Sequence, residues 1–325
     1  MQEESKTVDP WGDAPGTGIL GRLGTVLKKK GYVVNSVSVD NPSIAVEPEA
    51  SPNSPVPLIV SRWGVSQYDR KHSSETFDMK THTDELNAAS TAYSNIFAKA
   101  WSRKLTRGIC EAEALKAQLD GAELADHWPE SLTSVDRGFE MLSKLISMND
   151  RRGTDREFFY VSNGGWDHHS NLKDGLNERF PPLNQGLRSL VTELKEQGKW
   201  DGTVIVLVSE FSRTLNGNSG AGSDHGWAGN YAIMGGAVKG KRILGTYPSD
   251  ITEAGELNVG RGRLVPTTSW DSIFNGIVQW MGADSDSELD YCLPNRERAS
   301  SGSTGLFTSG DLFEAFTRNL RGGEE

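Results

Sequence analysis

The chain has 325 residues, 36% of them hydrophobic, and a net charge of −10 at pH 7. This length allows one large α/β domain or two smaller ones, each with a sizeable core. The acidic balance argues against nucleic acid or an anionic membrane as a partner, because phosphate groups would be repelled. It does not exclude a small anionic substrate, since a local metal site reverses the field around it.

The two cysteines and the first residues set only broad limits on the protein's environment. Cys110 and Cys292 lie far apart in sequence, so they form neither a disulfide framework nor a CxxC zinc site, and we expect two packed thiols. No apolar run is long enough to span a bilayer. The first six residues lack the hydrophobic core of a signal peptide, which taken literally predicts a soluble protein that is not exported.

The N-terminal part predicts a helix followed by short strands. Residues 18–27 have an amphipathic pattern, and the three lysines and Gly31 that follow are typical of a helix C-terminus. The next predicted elements are a strand at 32–39, a loop at 41–57 and a strand at 58–60.

The middle of the chain predicts helices and then two strands around one further helix. From about residue 84 to about residue 150 the apolar spacing is helical, so this block either forms a cap or covers one face of a sheet. A strand near 158–161, a helix opened by Pro181 and a strand at 203–208 predict a right-handed parallel crossover. Further predicted elements are strands at 231–234 and 242–244, a helix capped by Ser269, a flexible link at 299–304 and a short helix near 311–320.

The first of these two strands leads into the sequence Gly-Gly-Trp-Asp-His-His at residues 164–169. An apolar strand that ends in glycines, a carboxylate and two imidazoles is typical of a sheet edge that carries metal ligands. In an extended segment Asp167 and His169 point to the same side, while His168 points away. We predict Asp167 and His169 as ligands and His168 as a further candidate; the alternative is a polar loop whose imidazoles only form hydrogen bonds.

The second strand ends in Ser209 and Glu210. A parallel crossover brings Asp167 and Glu210 to the same edge of the sheet, where ligands bind in open α/β folds. A carboxylate at the lip of the core needs a cation, which predicts a metal ligand or a salt bridge to Arg213. Arg213 is predicted either to orient Glu210 or to bind an anionic oxygen of a substrate.

A third group, Asp224 and His225, follows a glycine-rich loop at residues 216–222 that is expected to fold back over the site. We predict His225 as a ligand and Asp224 as a further candidate. The Asp-His pair alone is weak evidence, because Asp126-His127 repeats it after a helix. The other three histidines, His72, His82 and His127, are predicted to be surface groups.

These motifs resemble the family called domain of unknown function 1501. The resemblance rests on the sequences at 164–169, 209–214, 224–227 and 235–240, which occur in the family's order, and it extends from about residue 18 to about residue 294. That family resembles the alkaline phosphatase and sulfatase superfamily. The resemblance implies a three-layer α/β/α fold with a mostly parallel central sheet and one or two metal ions at the strand ends. Residues 1–298 would form this single domain, and residues 299–325 a linker and a short C-terminal helix.

The resemblance also implies an activity, the hydrolysis or transfer of a phosphate or sulfate ester. Asp167, His169 and His225 would hold one metal, and Glu210 would contribute to a second. In the superfamily an N-terminal strand supplies another acidic ligand and is followed by the Ser or Thr nucleophile. No strand precedes residue 18, so we expect Met1 to be an internal methionine of a longer protein, or an N-terminal portion to have been lost. The nucleophile is then unassigned, and export remains open because related proteins are often exported.

The sequence therefore supports two functions of different classes. The first is a metal-dependent hydrolase of a small anionic ester, and the second is a non-catalytic protein that keeps the fold and binds a metal or another ligand. A third interpretation, a small-molecule or glycan-binding module, rests only on Trp166 and Trp227. Mixed nitrogen and oxygen ligands fit Zn, Mn or Fe, whereas a more oxygen-rich site would favour Ca or Mg.

Overall fold

A computed structural model describes residues 16–65, 79–89, 95–125, 127–302 and 304–315. The helices are α1 (Ile19–Lys29), α2 (Met79–Ala89), α3 (Ile96–Asp120), α4 (Ser134–Ser147), α5 (Leu172–Glu196), α6 (Trp270–Met281), α7 (Asp286–Cys292), α8 (Arg296–Ser300) and α9 (Ser309–Leu312). The strands are β1 (Val34–Val39), β2 (Leu58–Val60), β3 (Arg156–Val161), β4 (Val204–Leu207), β5 (Ser212–Gly217), β6 (Ser223–Gly226) and β7 (Ala232–Gly235). Across these residues no helix combines the length and apolarity needed to cross a membrane.

Local sequence signals account for the ends of two helices that cover the sheet. Helix α1 has Lys28 and Lys29 in its last turn, where cations offset the negative end of the helix, and Gly31 follows with a φ of 89°. Helix α6 begins after Ser269, whose hydroxyl accepts a 3.1 Å hydrogen bond from the backbone N–H of Ser272. Both helices lie where the sequence predicted them.

The strands form three small sheets. Strands β2, β1 and β3 make a parallel sheet in that order, with Val37 of β1 opposite Leu58 of β2 and Phe159 of β3. Strand β4 pairs with β7 in antiparallel fashion, and β5 pairs with β6 as an antiparallel hairpin. The protein is thus a mixed α/β protein with a small parallel sheet.

The single, mostly parallel central sheet that the sequence predicted is not formed by the described residues. In the predicted crossover β3 and β4 belong to one sheet, but β4 pairs with β7 and β3 pairs with β1. Residues of both strands line a cavity of about 1490 Å³, and no ladder joins β3 to β4 among the described residues. A strand pairs only with a neighbour about 4.8 Å away.

Helices cover both faces of β3 and β4. On one face Phe158 and Val204 pack with α1 and α6, whereas on the other face Val161 and Ile205 pack with α4 and α5. A third cluster joins β1 and β2 to α4 and the end of α3, through residues such as Leu119. Most of the apolar core therefore surrounds the strands that lead to the predicted site.

Three predicted elements were wrong in their bounds or type. Helix α5 begins at Leu172 instead of Pro181, so Pro181 and Pro182 lie inside it. Each proline lacks the N–H that would bond the carbonyl four residues earlier. Those two carbonyls belong to exposed residues, where water can bond them instead. Residues 242–244 form no strand; Lys241, just before them, has a φ of 61°. The C-terminal helix starts at Ser309 and ends at Leu312, because Phe313 is extended and bridges to Val238. The part of that prediction beyond residue 315 lies outside the described residues.

Candidate metal centre

The loop after β3 carries Asp167, His168 and His169. It turns at Gly165, whose φ of 87° favours glycine, and where a Cβ would lie 2.4 Å from the guanidinium of Arg179. The loop is irregular and not extended, with a 3.0 Å hydrogen bond from the N–H of His168 to the carbonyl of Trp166. This turn sets the directions of the three side chains.

The hairpin of β5 and β6 lies directly against this loop. The N–H of Ser223 donates to the carbonyl of His168 at 3.2 Å, and the N–H of Asn171 donates to the carbonyl of Gly220 at 3.1 Å. Gly222 allows this close approach, because a Cβ there would lie 2.2 Å from the carbonyl carbon of His169. The glycine-rich loop thus brings the hairpin onto the site, as the sequence led us to expect.

The two segments bring Asp167, His169 and His225 together. The Nε2 atoms of His169 and His225 are 3.0 Å apart, and each is 3.1 Å from Oδ1 of Asp167. The three side chains are about half exposed, at 50%, 50% and 56%. These residues form a group whose ligand atoms converge closely enough to hold a metal ion.

The size of this triangle fits a metal ion. Zinc lies about 2.0–2.1 Å from imidazole nitrogen and carboxylate oxygen, so tetrahedral ligand atoms are about 3.4 Å apart. The observed edges of 3.0–3.1 Å differ from that value by a few tenths of an ångström. If a metal ion were bound by these three side chains, a fourth position would be left for solvent, as in catalytic zinc sites.

Arg213 also contacts Oδ1 of Asp167. Its Nη1 donates to Oδ1 of Asp167, its Nη2 donates to the carbonyl of Ser223, and its Nε donates to the hydroxyl of Ser223 at 3.2 Å. The hydrogen bond from Arg213 is the main reason that the pKa of Asp167 is lowered; a small desolvation opposes it, and His225 and His169 lower the pKa further. Asp167 is therefore held as a carboxylate. The hydrogen bonds described for Arg213 are those to Asp167 and Ser223.

Asp224 lies behind His169 and outside the triangle. Its Oδ1 is 3.4 Å from Nδ1 of His169 and accepts a 3.1 Å hydrogen bond from Asn218, and its other oxygen accepts from Arg261. Asn218 is the main cause of the lowered pKa of Asp224, which is opposed by slight desolvation and reinforced by His169 and Arg261. A carboxylate that accepts a hydrogen bond from Nδ1 of a histidine keeps the proton on Nδ1. The lone pair on Nε2 of His169 is then free to bind a metal ion.

The structure does not bring His168 or Glu210 into the triangle. His168 packs against α5 at Gly175, where a Cβ would lie 2.3 Å from the imidazole, and its Nε2 is buried without a hydrogen-bond partner among the described residues. Glu210 lies at the end of β4, where it accepts a 3.2 Å hydrogen bond from Ser209. Burial, and then the charge of Glu210, raise the pKa of Tyr231.

Two groups that contact the triangle and its neighbour Asp224 were not predicted from the sequence. The ring of Phe211 stacks on His225 with centroids 4.1 Å apart, and Arg261 pairs with Asp224 from 37 residues away. The only sequence signal for the stacking of Phe211 was its position directly after Glu210. No local signal indicated the pairing of Arg261 with Asp224, because the loop that carries Arg261 has no regular pattern.

His127 was wrongly predicted to be a surface group. Its side chain is 19% exposed, its Nε2 is 2.9 Å from the carbonyl of Ser189, and it forms with Glu193 and Glu196 a second group that could hold a metal ion. Glu193 already accepts hydrogen bonds from the N–H of Ala125 and the indole of Trp128, so this group fixes a loop on α5. His82 is exposed on α2, as predicted; His72 lies outside the described residues.

Fold and site together define a mixed α/β protein with an exposed cluster of two imidazoles and one carboxylate. Residues 144–268, which include all of these ligands, match the family described as Protein of unknown function (DUF1501). The match covers less than half of the chain and supports the family resemblance over that segment. Neither a curated protein nor a solved structure matches the chain.

Proposed function

We propose that the protein is a metal-dependent hydrolase of phosphate or sulfate esters, with Asp167, His169 and His225 as the ligands of one divalent ion. The observation that carries the proposal is the triangle of ligand atoms with edges of 3.0–3.1 Å, half exposed and open on one side. The resemblance to the alkaline phosphatase and sulfatase superfamily supports the same class of reaction. A donor set of two imidazoles and a carboxylate fits Zn, Mn or Fe.

The residues around the triangle fit the binding of an anionic ester. A bound divalent ion would polarise the ester oxygen and stabilise the attacking nucleophile. Arg213 adds a fixed positive charge beside Asp167, in the planar form that suits phosphate and sulfate oxygens. Asp224 holds the tautomer of His169, and Phe211 limits the rotation of His225 by stacking on it. The nucleophile is unassigned.

A second candidate function is a non-catalytic protein that binds one metal ion or another ligand. The position of Glu210 favours it, because Glu210 lies outside the triangle. The described residues near Asp167 then offer ligands for one ion only. The superfamily's two-ion chemistry would need further ligands. The two functions share the metal and differ in turnover, which an experiment separates.

The test compares the wild-type protein with His225→Ala and a matched control, His82→Ala, which removes an exposed histidine on α2. Elemental analysis and calorimetric titration with Zn²⁺ and Mn²⁺ measure the metal, and aryl phosphate and aryl sulfate measure turnover. We expect about one tightly bound ion in the wild type and in His82→Ala, and at least about tenfold weaker binding in His225→Ala.

The outcomes separate the two functions. Ester turnover that is lost in His225→Ala and kept in His82→Ala supports the hydrolase. A bound ion with no turnover on either ester supports the non-catalytic protein. Equal metal content and equal affinity in all three proteins would sink both forms of the proposal.

A further inference from the structure

A second group of metal-ligating side chains lies at the C-terminal end of α5, roughly 30 Å along the helix from the loop that carries the triangle. Glu193 and Glu196 are three residues apart, so their side chains share one face of the helix. His127, in the connection between α3 and α4, lies against that face. One ligand atom from each of the three residues lies within 4.8 Å of the other two. The group therefore has the residue types and the size of a site for one divalent cation.

The hydrogen bond of His127 decides which of its nitrogens is available to a cation. Its Nε2 is 2.9 Å from the carbonyl oxygen of Ser189, and a carbonyl only accepts, so the proton lies on Nε2. The neutral imidazole then has its lone pair on Nδ1, which is buried and has no hydrogen-bond partner within the described part of the chain. A histidine that binds a metal typically donates its other N–H to a carbonyl or a carboxylate in this way. His127 is thus oriented as a metal-binding histidine would be.

Glu196 brings a carboxylate oxygen close to this lone pair. Its Oε2 is 3.9 Å from Nδ1 of His127, which is too long for a hydrogen bond. Zinc lies about 2.0–2.2 Å from imidazole nitrogen and carboxylate oxygen, so two ligand atoms of one ion are at most about 4.2 Å apart. The separation of these two atoms is therefore within the span of one bridging ion.

Glu193 adds a buried negative charge at the same place. Its side chain is only 3% exposed, and its one ion pair in the described ranges is with Nε2 of His127, at 3.6 Å. Its carboxylate accepts hydrogen bonds from the N–H of Ala125, the indole of Trp128 and the amide of Gln197. These bonds occupy three of its roughly four acceptor positions and leave one for a cation. Because a buried carboxylate is costly without a positive partner, a bound cation would stabilise this charge.

We propose that His127, Glu193 and Glu196 bind a second divalent cation, of the class of zinc or manganese, which fastens the connection between α3 and α4 onto α5. Trp128 holds this connection in place, since its ring stacks on His127 with centroids 5.7 Å apart and packs with apolar residues of α4 and α5. We expect the triangle to bind zinc first, because the oxygens of Glu193 already accept hydrogen bonds and the side chain of Glu196 is 52% exposed. The second site does not depend on the proposed hydrolase.

The test uses the full chain without the imidazoles of the triangle, His169→Ala/His225→Ala, so that the remaining zinc binding reports the second site. Glu196→Gln is introduced into this protein to remove one ligand. The matched control is Glu178→Gln, which changes an exposed carboxylate on the same helix. Calorimetric titration with Zn²⁺ should show about one ion in the parent protein and in the control, and at least about tenfold weaker binding in Glu196→Gln.

Two further readouts identify the ligands of this ion. X-ray absorption at the zinc edge of the protein without the triangle should show one imidazole nitrogen together with oxygens at about 2.0–2.2 Å, and no imidazole after His127→Ala. At about 100 times Kd, zinc should raise the Tm of this protein by about 3–6 °C and leave the Tm of its Glu196→Gln form nearly unchanged. A spectrum without imidazole, or with an imidazole that His127→Ala leaves in place, overturns the proposal.

The absence of zinc binding in the protein without the triangle, or equal affinity in Glu196→Gln and Glu178→Gln, also overturns it. His127 and Glu193 would then be an ordinary polar contact between a loop and a helix. If the protein without the triangle does not fold by circular dichroism, the wild type and Glu196→Gln are compared, with two ions expected in the first and one in the second. These readouts involve neither turnover nor the ligands of the triangle, so failure here leaves the hydrolase proposal untouched.

Discussion

Three nitrogen atoms converge on Oδ1 of Asp167, namely Nη1 of Arg213 and the Nε2 atoms of His169 and His225. The hydrogen bond from Arg213 is the main cause of the lowered pKa of Asp167 and so favours its charged form. Two neutral imidazoles and one carboxylate would together carry a single negative charge. A divalent cation bound to them would leave a net charge of +1, which would attract an anion. The proposed metal binding would therefore depend on how His169 and His225 are oriented.

At the residue scale the first prediction concerns Asp224, whose Oδ1 lies 3.4 Å from Nδ1 of His169 and outside the triangle. We expect Asp224→Asn to weaken Zn²⁺ binding by about 10–100-fold, because an amide no longer fixes the proton on Nδ1 of His169. Calorimetric titration measures the affinity. The control is Asp174→Asn, which removes an exposed carboxylate in the first turn of α5. An unchanged affinity in Asp224→Asn would show that the orientation of His169 does not depend on it.

At the scale of elements, the site depends on the contact between a loop and a hairpin. The segment after β3 is bridged to the β5–β6 hairpin at Ser170 and Ala221, so residues more than 50 positions apart in sequence lie side by side. Gly222 lies in this contact, where a Cβ would be 2.2 Å from the carbonyl carbon of His169. A side chain at this position therefore has to displace the backbone of His169.

The corresponding prediction compares two glycines of the same hairpin. Gly222→Ala should lower the free energy of unfolding by about 1–3 kcal/mol and weaken metal binding, since its Cβ would lie 2.2 Å from the backbone of His169. Gly217→Ala should be tolerated, because its Cβ would meet the carbonyl of Gly222 at an ordinary 3.6 Å. Chemical denaturation and metal titration check both. Equal effects of the two substitutions would contradict the close-contact explanation.

At the scale of the whole molecule, an ion pair joins the two ends of the described chain. Lys30, after α1, pairs with Glu288 of α7 at 3.3 Å and with Asp284 at 2.9 Å. Desolvation opposes ionisation of Glu288, but hydrogen bonds from the N–H groups of Asp284 and Ser285 and from Lys30 outweigh it and lower its pKa to about 2. This ion pair therefore links the segment after α1 to α7.

This pair predicts a pH dependence of stability. A carboxylate with a folded pKa of about 2 and an ordinary pKa of 4.5 contributes its full stability above pH 4.5 and loses it as the pH falls towards 2. We expect Glu288→Gln to have a lower Tm than the wild type at pH 7 and nearly the same Tm near pH 2. Thermal unfolding across this range measures the difference. A gap that stays constant with pH would contradict the assignment.

Local patterns predicted the helices α1 and α6, the strands β1 and β3, and the three residues that form the triangle. They did not predict the pairing of β4 with β7. The choice of partner depends on which strand lies beside β4 in the fold, and the apolar sequences of β3 and β7 do not distinguish the two. The roles of Arg213 and Asp224 also depended on distant contacts, Arg213 with Asp167 across 46 residues and Asp224 with Arg261 across 37 residues. Pro181 was misleading, since a proline signals a helix start only when its preceding residues are not already helical.

X-ray absorption at the metal edge of the Zn²⁺-loaded protein tests the proposed metal centre most directly. We expect two imidazole nitrogens and one carboxylate oxygen at about 2.0–2.1 Å from the zinc, and the loss of one imidazole in His169→Ala. A spectrum with no imidazole contribution, or one that His169→Ala leaves unchanged while a substitution of His127 alters it, would place the ion elsewhere. Either result would contradict Asp167, His169 and His225 as the metal centre.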